Sequence, residues 1–218
     1  IHAAAWPRLL HLCAGKPDLH PALGLHPVYL AQHRPEHVGT LERLLAEEQP
    51  LAVGEIGLDF FEPGLDPARQ QALFETQLAL ARDAGLPVLL HVRKAHDQVL
   101  AALKRARVRG GIAHAFNGSL PQAQRYLDLG FRLGFGGMLT FERSLKLRPL
   151  ARALPIEAIV LETDAPDLTV AAHRGERNSP AYLPDVLDAL AVVRDSDPAE
   201  LAAQTTANAR AVLGLAEP

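Results

Sequence analysis

Cysteine is almost absent from this sequence: Cys13 is the single one in 218 residues, so no disulfide framework can form and a reducing compartment is expected. Long apolar runs are also absent, since none approaches the ~18 residues that a membrane span needs. Neither charge sign dominates: the formal net charge of −3 gives no overall basic field to advertise nucleic acid or an anionic membrane. The opening IHAAAWPRLL has no basic segment followed by an apolar core, so no signal peptide is read there and a cytoplasmic location is expected. Low-complexity segments, sequence repeats and a G-x-G-x-x-G phosphate turn are all missing, and the last absence weakens the case for a dinucleotide fold.

What remains is an ordinary globular composition, 48% hydrophobic and 22% charged, long enough for one large α/β domain. Apolar runs at 20–26, 50–59, 86–92, 110–116, 130–136 and 157–164 read as strands. Their near-continuous hydrophobicity suits a parallel sheet covered on both faces. The intervening stretches read as helices. Asp66 and Pro67 open one of them, and Phe74, Leu78 and Ala81 line its apolar face. Leu41, Leu44 and Leu45 mark a second, and Val99, Leu100 and Leu103 a third. Two helices close the chain, around Val186 to Val193 and from Pro198 to Leu213. Recurring strand–helix units fit a doubly wound sheet or a (β/α) barrel.

The ends of the strands decide between these. His26 follows ALGL, Glu55 follows AVG, His91 follows PVLL, His114 follows GIA, and Asp164 follows IVLET. Catalytic groups of barrel enzymes come from the carboxyl ends of several strands, and all five residues are metal-ligand types. A TIM-type barrel is therefore the expected fold, as one domain over 1–218. Imidazoles and carboxylates suit a divalent ion, with Glu55 able to bridge two and Asp164 able to take a proton from an activated water. Each residue also has a plainer reading. A single buried histidine is usually a neutral, hydrogen-bonded one, and Glu55 or Asp164 could pair with Arg93 or another cation. Phe60 and Phe61 read as core or pocket wall, and the run KRARVRG as decoration of a helix C-terminus. Four coincident strand-end placements favour a site.

ALGLHP, GEIGLDF, HVR, HAFNGS, LETDAP and RNSPAYLP occur in the order found in the TatD family of metal-dependent deoxyribonucleases, and the chain resembles that family over essentially its whole length. The resemblance implies a TIM-type barrel of the metal-dependent hydrolases. It implies Glu55 as bridging ligand, His91 and His114 as histidines of one metal, and Asp164 as ligand of a second metal and proton acceptor. Glu55 and Asp164 would then be catalytic, and His26 and Arg93 would bind substrate. Mg2+, Mn2+ or Zn2+, two ions in a complete protein, would be the cofactors. DNA, single-stranded or at its ends, would be the partner. Asn117 stands where the family often has Ser or Thr, and Asp167 where an aromatic is common.

The family opens with a strand bearing an H-x-H pair, whereas IHAAAWPRLLHLCAGKP reads as a later helix, and the only methionine is Met138. The expectation is that the first two strands, roughly forty residues, lie outside this sequence. Three functions follow: a divalent-metal hydrolase of DNA phosphodiesters, a hydrolase of another small ester, amide or lactone, or a non-catalytic remnant that lacks the H-x-H strand.

Overall fold

Side-chain caps fix where several of the helices begin. The computed structural model describes residues 1–216, and the chain divides into two units, one over Ile1–Gly111 and one from Ile112 onward.

In the first unit, helix α1 (Trp6–Cys13) leads to strand β1 (Ala22–Leu23), helix α2 (Pro35–Glu48), strand β2 (Ala52–Asp59), helix α3 (Pro67–Asp83), strand β3 (Val88–Arg93) and helix α4 (His96–Ala106). β1, β2 and β3 pair in parallel in chain order. The Asp66 side chain caps α3 by accepting from the N–H groups of Ala68 and Arg69, with Pro67 in the first turn. Phe74, Leu78 and Ala81 on its inner face are fully buried, as the spacing predicts.

Two glutamines interrupt that apolar face, and both are buried. Gln77 accepts from Leu25 N–H at 2.7 Å and donates to Leu25 C=O at 3.1 Å. Gln70 does the same for Asp59, at 2.8 and 2.9 Å. Seven residues apart, they lie on one side of α3. Each carboxamide stands in for the peptide group of a neighbouring strand where the ladder stops. Buried backbone groups need such partners. This is why β1 is shorter than the apolar run 20–26 suggests: beyond Leu23 the chain is held by a side chain, not by a strand.

β2 contains an irregularity that matters for chemistry. Val53 to Ile56 is a three-residue step opposite the two-residue step from Val88 to Leu90, and register then resumes with Gly57 opposite His91 and Asp59 opposite Arg93. An extra residue re-aims the side chains around it. Glu55 sits in that step and is only half-buried between buried neighbours.

The second unit carries strand β4 (Gly111–Ala113), which begins at the boundary, helix α5 (Leu120–Asp128), strand β5 (Phe131–Phe135), helix α6 (Leu147–Ala153), strand β6 (Ile159–Leu161), helix α7 (Leu183–Arg194) and helix α8 (Pro198–Leu213). β5 and β6 are parallel, with Leu133 opposite Ile159 and Phe135 opposite Leu161. A reciprocal Ser119–Gln122 box starts α5, and Asp197 caps α8. Buried Asn208 of α8 donates to the carbonyls of Ile156 and Ile159, both at 2.8 Å, and so fixes the start of β6. β4 and β6 end earlier than the apolar runs do, and beyond them Ala115 and Asp164 turn through left-handed conformations, at φ of 42° and 57°. No helix of the described residues is long and apolar enough to cross a membrane.

Gly57 has φ of 151°, and a Cβ there would land on the backbone oxygen of His91. Gly57→Ala must therefore separate β2 from β3. It is expected to destabilise the protein by about 2 kcal/mol or more, read as a lower urea midpoint at unchanged m-value. An unchanged midpoint would show that the two strands yield without cost.

Candidate metal centre

β2 and β3 bring together Glu55, Asp59 and His91, and the turn after β1 adds His26. Asp59 ends β2, whereas Glu55 and His91 lie inside their strands and not at the ends where the sequence places them, because both ladders run on past them to the Asp59–Arg93 pair. His26, Glu55 and His91 present ligand atoms that all lie within 4.8 Å of one another. The second unit builds a comparable group, in which His114, just beyond β4, faces Glu162 and Asp164, just beyond β6.

Distances separate two roles among these carboxylates. His91 donates from Nε2 to Asp59 at 2.9 Å, and its Nδ1 faces Glu55 at 3.3 Å. His114 Nδ1 lies 2.8 Å from Glu162, and its Nε2 lies 3.5 Å from Asp164. The shorter pairs are ordinary hydrogen bonds. The longer ones match the donor–donor edge, about 3.4 Å, of a tetrahedral ion with bonds near 2.1 Å. Asp59 and Glu162 are also tied to the backbone. Asp59 accepts from Phe61 and Glu62 N–H, each at 2.9 Å, and Glu162 accepts from Ala115 N–H at 2.7 Å. Both carboxylates therefore hold an imidazole in place, while Glu55 and Asp164 face its other nitrogen. This is the usual arrangement behind a metal-bound histidine.

Electrostatics agree. Burial works to raise the Asp59 pKa. The N–H of Glu62, the His91 ring and the N–H of Phe61 outweigh it and hold the carboxyl below the usual range. Burial works to lower the His91 pKa, but Glu55 and then Asp59 win and hold it above the usual imidazole range. A divalent ion fits this pocket, because its charge can replace the proton that the two carboxylates otherwise draw onto His91.

His26 meets the distance test, with Nε2 3.5 Å from Glu55, but its proton is in the wrong place for a ligand. Nδ1 accepts from Val28 N–H at 3.2 Å, so neutral His26 carries its hydrogen on Nε2, the nitrogen that faces Glu55. The residue is an N–H donor while that bond stands. Buried His33 steadies it by donating from Nε2 to the His26 carbonyl at 2.8 Å. Arg93 pairs with neither Glu55 nor Asp164. Its guanidinium lies 3.8 Å from the centre of the Phe61 ring, and Phe61 is 47% exposed, so it is neither core nor enclosed wall.

The loop bearing Asp164 depends on Asn178, which is 1% exposed. Its Nδ2 donates to the carbonyls of Thr163 and Asp167, each at 2.5 Å, and its own N–H donates to Pro166 C=O at 3.0 Å. Gly134 leaves the space that Glu162 fills, since a Cβ there would meet the carboxylate.

A family profile described as TatD related DNase matches residues 1–214. The chain belongs to the TatD family. It is 42% identical over 207 residues to a protein of Escherichia coli K12 named uncharacterized metal-dependent hydrolase YjjV, covering 92% of this chain and 78% of that one. It is 41% identical to the 3'-5' ssDNA/RNA exonuclease TatD of Klebsiella pneumoniae, over 88% of this chain and 76% of the relative. The structure superposes on that of the TatD homologue YjjV from Escherichia coli K12 with a TM-score of 0.94 at 37% identity, over 98% of this chain and 84% of that one. A TatD family hydrolase from Entamoeba histolytica shares the fold, with a TM-score of 0.81 at 20% identity. The parallel strand–helix alternation is thus that of a TatD-type barrel, and this TatD-family chain is a metal-dependent hydrolase.

Asp59→Asn and Glu162→Gln are each expected to weaken Mn2+ or Zn2+ binding by about 10- to 100-fold, without removing a proposed ligand. Isothermal titration measures this. Unchanged affinity in a folded variant would refute the orienting role. In the wild type, binding releases a proton where His91 is protonated. Affinity is therefore expected to fall as pH drops through the raised His91 pKa and to level off above it.

Proposed function

We propose that this protein hydrolyses phosphodiester bonds in DNA, at single strands or strand ends, with divalent metal ions. The observation that carries the reading is the His91 ring held between backbone-anchored Asp59 at 2.9 Å and Glu55 at 3.3 Å, a histidine oriented for an ion. The Klebsiella pneumoniae relative named as a single-strand DNA and RNA exonuclease supports the substrate.

In this proposal Glu55, His91, His114 and Asp164 are the metal ligands, Glu55 and Asp164 are also catalytic, and His26 and Arg93 bind substrate. Bound by them, a divalent ion such as Mg2+, Mn2+ or Zn2+ supplies Lewis acidity toward phosphate and makes water a usable nucleophile near neutral pH. Arg93 holds an oxygen of a phosphate next to the scissile one by charge-assisted hydrogen bonds. The His26 Nε2–H donates to an oxygen of the diester, and its tautomer is kept ready by Val28. Water attacks phosphorus in line as the bond to the leaving nucleoside oxygen breaks. Asp164, left-handed at φ of 57° and held by the Asn178 loop, receives the water's proton at a carboxylate oxygen.

The acidic net charge fits an enzyme that engages a few phosphates and does not track a long duplex. A small ester, amide or lactone as substrate is the rival reading, and the same assay separates them. A labelled single-stranded oligonucleotide is expected to be shortened in Mn2+ or Mg2+, and not in chelator. Asp164→Asn is expected to lose about 100- to 10,000-fold in kcat. Cleavage that chelator does not touch would overturn the metal mechanism. An intact oligonucleotide, with hydrolysis of a carboxylic ester or lactone panel, would overturn the substrate.

A further inference from the structure

Consecutive residues of a strand point to opposite faces, so Arg93 and Lys94 should not meet the same neighbour. Here they do. Arg93 closes β3, and Lys94 turns at once through a left-handed conformation with φ of 53°, which non-glycine residues seldom adopt. The Arg93 guanidinium lies 3.8 Å and the Lys94 ammonium 4.6 Å from the centre of one ring, that of Phe61. Phe61 comes from the turn after β2, which Asp59 fixes by accepting its N–H, and the Phe60 N–H donates to Arg93 C=O at 2.9 Å.

Among the described residues, neither cation pairs with a carboxylate. Elsewhere on this surface, Arg34, Arg43, Arg82 and Arg105 do. An aromatic face attracts a cation without consuming its N–H donors. Both groups therefore keep their hydrogen-bonding capacity, and the guanidinium keeps the fork that matches a phosphate. An exposed phenylalanine with two cations on it, kept by a strained backbone residue, has no account in folding alone. All of it adjoins Asp59, whose carboxylate orients His91.

We propose that Phe61, Arg93 and Lys94 form a receptor for the phosphates of a single-stranded DNA chain, beyond the one being cleaved, with Phe61 as the positioning residue that gathers both cations. This rests on the phosphodiesterase reading and deepens it. Lys94 becomes a substrate contact, and the enzyme gains grip on a polymer that a small ester would not use.

The test is the salt dependence of binding of fluorescein-labelled oligo(dT) to the full chain in chelator, followed by anisotropy so that nothing is cleaved. For single strands the slope of log K against log salt becomes shallower by about 0.7 for each phosphate that the protein no longer neutralises. Lys94→Gln is expected to show about one such step, and Arg93→Gln/Lys94→Gln about two. Phe61→Ala is expected to weaken binding while Phe61→Tyr restores it, since a ring of either kind can gather the cations. Lys104→Gln, in the last turn of α4, should leave the slope unchanged. With metal present, Phe61→Ala is expected to raise KM for the oligonucleotide by about 10-fold while kcat moves little, the signature of weakened uniform binding.

Wild-type slopes kept in all three cation and ring variants would overturn the receptor, even if the enzyme degrades DNA. A slope made shallower only by Lys104→Gln would move the phosphate site to α4 and also overturn it. Slopes that change as expected, in a protein that hydrolyses no DNA with any metal, would keep the receptor and refute the proposed activity. A wild type that binds no oligo(dT) at low salt would overturn the receptor, leaving the activity to be judged on the cleavage assay.

Discussion

A carboxylate at the end of an apolar strand must find N–H donors or a cation, because an uncompensated charge there costs several kcal/mol. Asp59, at 1% exposure, finds two backbone N–H groups and the His91 ring. Much of the first unit follows from that. The N–H bonds from Phe61 and Glu62 set the turn after β2, the ring bond aims Nδ1 of His91 at Glu55, and Gln70 secures the backbone of Asp59 itself. Glu162 plays the same part in the second unit, with Ala115 N–H and His114 as its donors and Gly134 as its space. Fold and site share these two carboxylates.

Their arrangement also explains why the strand ends are built from unusual backbone. Lys94, Ala115 and Asp164 are all left-handed, and each follows a strand end. Strained residues persist only where surroundings over-determine them. Asn178 supplies that over-determination for Asp164. The bulge in β2 serves the same purpose within the sheet, since without the extra step Glu55 would follow simple alternation.

Several side chains carry this architecture without any sequence signal of their own. Gln70 and Gln77 sit in the apolar stripe of α3 beside Phe74 and Leu78, where spacing alone marks only a helix face. Asn178 and Asn208 look like ordinary loop and helix polar residues, and Asp59 and Glu162 look like spare carboxylates next to more conspicuous ones. Each is recognised by what it bonds to, which lies 11 to 52 residues away for the glutamines and Asn208. Phe61 reads in the sequence as core or wall, and burial and neighbours assign it to the surface beneath two cations.

The sequence by itself determined the alternation of six strands with helices, the Asp66 cap and the family. Those features are local: periodicity, capping and motif order are written in neighbouring residues. Tertiary structure alone decided which carboxylate orients and which faces an ion, and where Arg93 points. Each depends on distances of about 3 Å between atoms from separate elements, and no pattern along the chain encodes a distance across it.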